Sequence, residues 1–230
     1  MTMMLSMIRQ ACRGQLADNA LLGNYTFSDE QLDGWINAAV LDLSLHFPRQ
    51  ASATLALQPG VQVYALESDF LAALQVASPA GQVPPCLLRR DDSSRPDFWL
   101  APGRYDVVRR MDAGPGGEAQ LVLSDPPAAG QAASVEYLAE HRPLSSPSDI
   151  TTLLDRHAVL IPAYVRWKAW QALSTRGGMN PDQAPLLGST PEANALRAEQ
   201  AYRAALQAAQ AAEGESRVLA WRLDKWDRGS

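Results

Sequence analysis

The order in which hydropathy patterns follow one another constrains this chain most. Apolar residues recur at helical spacing through residues 1–50, fall into short strand-like runs over 51–145, and return to helical spacing over 146–213. Residues 214–230 form a separate tail. An amphipathic helix is stable only where its apolar stripe is covered. The two helical parts must therefore meet in space, and the strand region becomes an insertion carried by a helical body. The expected fold class is α+β. A helical bundle is formed by the N- and C-terminal segments, with an inserted antiparallel β domain and an extended C-terminal tail.

Composition supports a folded chain. With 47% hydrophobic residues and 20% charged among 230, it has the means to bury a core, either as one large domain or two small ones. The net charge of −5 argues against a dedicated nucleic-acid-binding surface, which carries a basic excess. Residues 51–145 hold seven Arg against eleven Asp and Glu, a net of −4, so the strand region carries most of the imbalance. The most apolar stretch, 153–173, contains Asp155, Arg156, Arg166 and Lys168, and a membrane span is not expected. Arg9 closes the short apolar run at 3–8, and no charged stretch precedes that run, so no signal peptide is expected. Cys12 and Cys86 are isolated, give neither a disulfide framework nor zinc spacing, and both read as buried small hydrophobes.

Local signals place the elements. Met4, Leu5, Ile8 and Cys12 share one face of a first helix over 2–17. Residues 19–24 read as a loop. Ser28 with Gln31 forms a capping box, and Asp29 and Glu30 sit where the helix dipole favours negative charge. Leu32, Trp35, Ile36, Ala39, Val40 and Leu43 then follow helical spacing, which predicts a helix over 29–46 ended by Pro48. Segments 54–57 and 61–66 flank Pro59-Gly60 and read as a hairpin. Further strands are expected at 86–90, 98–100 and 105–109, with Pro102-Gly103 as the turn between the last two. Another pair, 120–123 with 134–138, is expected across 126–130. Pro84-Pro85 breaks any central strand. Such close turn signals imply a small antiparallel sheet, barrel or sandwich.

Ser148 and Asp149 read as the cap on the return to helix. Pro162 divides that pattern into a short helix and a longer one, or kinks a single helix. Gly177 and Gly178 end it and a loop runs to Gly188. Thr190 with Pro191 then starts a last, alanine-rich helix.

No catalytic motif is present: neither a nucleophile elbow, a phosphate loop nor an H-E-x-x-H pair. His46, His141 and His157 are widely spaced and read as surface or packed histidines. Gly114, Pro115, Gly116 and Gly117 read as a turn, since no lysine or helix cap follows. Asp91 and Asp92, beside Arg89, Arg90 and Arg95, read as a solvated charged loop rather than a cation site. No catalytic residue, metal ligand or cofactor is therefore assigned. The tail is different. Leu219, Trp221 and Leu223 alternate with Ala220, Arg222 and Asp224, and Trp226 follows. Period-two alternation indicates an extended segment, and tryptophans on a terminus call for burial. Leu219, Trp221, Leu223 and Trp226 are the candidate docking residues, either on a neighbouring subunit or folded back on the chain's own body.

Several of these segments together resemble the head-to-tail adaptor, or connector, proteins of tailed bacteriophages. They are Tyr25-Thr26-Phe27-Ser28-Asp29-Glu30-Gln31-Leu32, the run Leu57-Gln58-Pro59-Gly60-Val61-Gln62-Val63-Tyr64-Ala65-Leu66, and Ser68-Asp69-Phe70-Leu71. The segments Leu121-Val122-Leu123-Ser124-Asp125-Pro126-Pro127 and Val135-Glu136-Tyr137, residues 149–154 and the aromatic helix after Pro162 complete the likeness. The resemblance implies a non-enzymatic virion protein of the neck that is assembled in the host cytoplasm. It implies a homo-oligomeric ring, typically twelvefold, with the portal protein on one side and a tail or nozzle protein on the other. DNA would pass through its channel without specific binding. A different neck or tail-completion protein is the nearest alternative. A soluble ligand-binding domain or enzyme with an unrecognised site is the alternative from another class.

Overall fold

A computed structural model of the protein describes residues 3–16, 26–81, 86–110, 118–127, 131–175 and 190–227, with 215–227 as helical backbone. The loops expected at 19–24 and after Gly177, the Pro84-Pro85 break and the Gly114–Gly117 turn lie outside the described residues. The fold is α+β. The chain divides into two compact units, one made of Met1–Phe47 with His141–Ser230 and the other of Pro48–Glu140.

The first unit is helical. Helix α1 (Leu5–Leu16) buries Leu5, Ile8 and Cys12, the face its spacing predicts, while Met4 lies just outside the helix and remains exposed. Helix α2 (Asp29–His46) carries the full capping box. Ser28 Oγ accepts from the Gln31 amide, and the Gln31 side chain accepts from the Ser28 amide. Arg9 and Arg13 of α1 tie the start of α2 through Asp29 and Asp33, with Arg9 Nε to Asp33 Oδ1 at 2.9 Å. The Arg13 hydrogen bond is the largest cause holding the Asp29 carboxyl below the usual range.

The return to helix comes later than its polar signal. Asp149 caps no helix; its carboxylate accepts the amides of Ser145 and Ser146 and closes a turn. Helix α3 (Asp155–Ala158) and helix α4 (Ile161–Thr175) then follow, so the pattern split by Pro162 is two helices, with the proline in the first turn of α4 where its missing donor costs nothing. Helix α5 (Pro191–Asp227) starts as expected, with Thr190 Oγ1 accepting from the Ala193 amide. Residues of α1, α2, α3, α4 and α5 share one hydrophobic cluster, from Ile8 and Ile36 to Val165 and Tyr202.

The second unit is made of strands. They are β1 (Arg49–Ala56), β2 (Val63–Ala65), β3 (Phe70–Ala77), β4 (Arg89–Arg90), β5 (Arg104–Arg110), β6 (Glu118–Leu123) and β7 (Ala132–Ala139). They form a three-stranded sheet in the order β1-β7-β3 and a four-stranded sheet in the order β2-β6-β5-β4. Both sheets line one hydrophobic cluster, which includes Phe70, Val76, Tyr105, Leu121, Val135 and Tyr137.

Three strand expectations are overturned. The run expected to hairpin with 61–66 is β1, which pairs instead with β7, Arg49 opposite Ala139 and Ala56 opposite Ala132. Strands β6 and β7 do not pair with each other; β6 joins β2 and β5, and β7 joins β1 and β3. Residues expected as a strand at 98–100 include Phe98 at the end of a short 3-10 turn, Pro96–Phe98, which drives Phe98 fully into the interior. Pro102-Gly103 does turn, with Gly103 at φ 74°, a conformation glycine adopts without a Cβ clash.

Candidate interaction site

The residues singled out as a docking tail, Leu219, Trp221, Leu223 and Trp226, lie on the last part of α5. Their backbone is helical, not extended. The physical reason is upstream. Alanine is the strongest helix former, the run from Ala198 to Ala212 is rich in it, and elongating an existing helix costs far less than nucleating a new one. Gly214 alone does not stop it. At helical spacing positions 219, 223 and 226 recur at i, i+4 and i+7, a stripe that the period-two reading hid. Their side chains lie outside the described residues.

The root of this helix is described. Ala198, Tyr202 and Leu206 are buried, and Tyr202 and Leu206 belong to the helical core. The Tyr202 hydroxyl donates to the Asp42 carboxylate of α2. Its ring meets Tyr164 edge-on, with centroids 5.2 Å apart, and lies nearly parallel to Trp167 at 6.2 Å. Lys168 sits 4.0 Å from the Trp167 centroid, a cation–π contact on the same cluster. Burial first, and then the bond to Asp42, push the Tyr202 phenol far above its ordinary range. It stays a donor at every physiological pH.

A second contact holds α5 at Glu213, the last side chain described in it. Glu213 accepts the Arg156 guanidinium, and its Oε1 lies 3.1 Å from His157 Nε2. His157 is only 4% exposed and stacks on Phe47, with centroids 3.9 Å apart and planes 14° from parallel. Burial lowers the His157 pKa; Glu213 opposes that shift without cancelling it. A cleft of about 270 Å³ is lined here by Arg156, His157, Ala209, Ala212 and Glu213. None of these lining residues carries a hydroxyl or thiol for His157 to activate. The arrangement clamps a helix and, among the described residues, brings no nucleophile to His157.

The remaining histidines fit the same picture. His141 is buried, its Nδ1 2.8 Å from Thr152 Oγ1 and its Nε2 2.8 Å from the Phe47 carbonyl oxygen, while Ser44 Oγ accepts its amide. His46 is exposed, 3.0 Å from Gln210 Nε2. Asp91 pairs with Arg104, and the Asp92 carboxylate accepts from Ser94, so this loop organises itself. Among the described residues no group of His, Cys, Asp and Glu could hold a metal ion. Among them, too, no helix is long and apolar enough to cross a membrane. Cys12 is buried, its thiol pushed up to about 12 by desolvation. Cys86, expected to be buried, is exposed. It precedes the short β4 rather than lying in a covered strand, so no inward face claims it. The Tyr202–Asp42 bond was not foreseen. An aspartate among apolar helical positions was its one sequence signal.

No curated protein matches the chain in sequence. The family described as SU10 adaptor protein matches residues 3–222, from the residues before α1 into the last turns of α5, and so takes in both units. This span agrees with the likeness carried by the capped helix, the strand segments and the aromatic helix. The chain belongs to the SU10 adaptor protein family, a family of structural adaptors of bacteriophage virions.

Proposed function

We propose that this protein is the head-to-tail adaptor of a virion, a ring of identical copies in the neck that joins the portal protein to the tail or nozzle protein and continues the DNA channel. The family match across both units carries the reading. The helical unit is suited to be the ring wall, because its elements share a single core and leave α5 running 37 residues in one direction. The end of that helix, with Leu219, Trp221, Leu223 and Trp226, is the arm that docks on the portal. Aromatic and long apolar side chains are the usual anchors of such contacts. The strand unit faces the next tail component. Its excess of acidic residues keeps passing DNA from adhering, since neutralisation of phosphates by Lys and Arg is what holds DNA to protein.

The mass of the full chain, alone and with a candidate portal, tests the ring. A strict monomer that joins no particle overturns it. Removal of 215–230 tests the arm. Portal attachment is expected to fall while the helical unit keeps the circular dichroism of its remaining helices and its thermal transition. Attachment at full strength overturns the docking role, and collapse of the helical unit assigns the arm to its own body instead.

A further inference from the structure

The three-stranded sheet has two edges, and they are treated differently. The outer edge of β3 is occupied. Arg109 donates to the carbonyl oxygens of Phe70 and Leu71, and the segment before β4 covers the other end, with Leu88 donating to Val76 and Ser78 to Cys86. Register shifts interrupt β3 as well. Such covering and bulging are how proteins keep an edge from pairing.

Among the described residues, strand β1 has none of these devices. Its eight residues pair with β7 without a register shift and contain no proline. Its one charge, Arg49, stands at the end and is held by Asp69 and the Glu140 carbonyl oxygen. The phase of the ladder follows from one bond, the Leu57 amide to the Gln131 carbonyl oxygen, which continues the β1–β7 register. In an antiparallel ladder such pairs recur every second residue. The backbone groups of the odd-numbered residues of β1 therefore point to β7, and those of Gln50, Ser52, Thr54 and Ala56 point away. No described residue pairs with that second set. The core is unfinished at the same place. Along β7 the inward residues Ala133, Val135, Tyr137 and Ala139 are buried, whereas Ala51, Ala53 and Leu55 of β1 pack on that core and stay half-buried.

We infer that the free edge of β1 is a strand-addition site and that its occupant is β1 of a second copy, antiparallel about a two-fold axis at Ala53. Only the even-numbered residues can exchange bonds across this edge, and a centre at Ala53 is the one that uses all four of them within β1. In that register Ser52 faces Thr54 and Gln50 faces Ala56, so all four outward-pointing residues exchange backbone bonds. Ala51 then faces Leu55 on the inner side, apolar against apolar, and completes the row left half-buried. No like charges meet, since Arg49 lies beyond the paired segment. The inference stands apart from the adaptor reading, because a two-fold contact closes at two copies and builds no ring. One pair of eight-residue strands buries less than the roughly 1,200 Å² of a stable complex, so the contact is weak and reversible.

Sedimentation velocity on the full chain over a concentration series tests this. Ser52→Pro removes an amide that points away from β7, so the internal ladder survives, as prolines on edge strands allow. The wild type is expected to show a concentration-dependent dimer, and Ser52→Pro a loss of association of about tenfold or more, from two missing hydrogen bonds and the ring's bulk. Ser52→Lys with Thr54→Lys, which sets like charges face to face without touching the fold, is expected to do the same and to recover in high salt. The amides of Gln50, Ser52, Thr54 and Ala56 are expected to exchange more slowly as concentration rises. Association unchanged in both variants overturns the inference, as does free exchange of these amides in whatever oligomer forms. Protection that appears only when another virion protein is added overturns the second copy as occupant and assigns the edge to that protein.

Discussion

The bond between Tyr202 and Asp42 links the long terminal helix to α2, and Tyr202→Phe isolates it. The phenylalanine keeps the ring against Tyr164 and Trp167 and removes only the hydroxyl. A hydrogen bond to a charged acceptor contributes about 1.5–3 kcal/mol. Asp42 is partly exposed and regains water when the hydroxyl is gone, which brings the expected loss to the lower end, about 1–2 kcal/mol. Tyr202→Ala also empties a site only 3% exposed and is expected to cost about 3–5 kcal/mol. Urea unfolding followed by tryptophan fluorescence measures both. Trp35, Trp167 and Trp170 report on the helical unit, and a Trp99→Phe background silences the one tryptophan of the strand unit. A double-mutant cycle with Asp42→Asn is expected to return a coupling of about 1 kcal/mol. A Phe variant within about 0.5 kcal/mol of wild type, or a cycle with no coupling, refutes the idea that this bond fixes α5 to α2.

Two further predictions concern titration and reactivity. His157 has a folded pKa below its ordinary 6.5, so the unfolded chain binds its proton more readily. Its share of stability, complete above pH 6.5, is lost as pH falls through the folded value. Glu213, Arg156 and His141 also bear on it, and His157→Gln is expected to flatten the decline in the thermal midpoint of the helical unit between pH 7 and 5. A decline of unchanged slope shows that other groups set the acid limb. With a thiol reagent at pH 7.5, Cys86 is expected to react promptly and Cys12 only on unfolding, because burial holds the Cys12 thiol protonated. Two fast thiols refute the buried placement of α1.

What could be read from the residues divides along physical lines. The capping box at Ser28 and the proline start of α5 are local chemistry, settled within four residues, and both are present as the spacing dictates. Strand pairing is not local. Arg49 and Ala139 are partners across the whole strand unit, and nothing in either short run names the other. Nearness in sequence misled in the opposite sense, since β6 and β7 are neighbours along the chain yet belong to different sheets. Asp149 shows the same signal serving two ends: a carboxylate accepting successive amides can open a helix or close a turn, and here it closes one. The terminal arm was legible as apolar, but not as helical, because five residues of alternation outweighed the helix arriving from upstream.

The strand unit begins and ends at one place. Arg49 faces Ala139 across the ladder, while in the helical unit His141 touches both Phe47 and Ser44. The polypeptide thus leaves the helical unit and re-enters it through neighbouring residues, and paired strands stand only about 5 Å apart. A short glycine turn from Phe47 to His141 would span the gap. The whole strand unit is therefore a cassette. It can be removed, or exchanged for another with the same paired ends, while the helical core keeps its contacts. Variation of the strand unit has such a route open to it, recombination at two adjoining points rather than remodelling of the helical core.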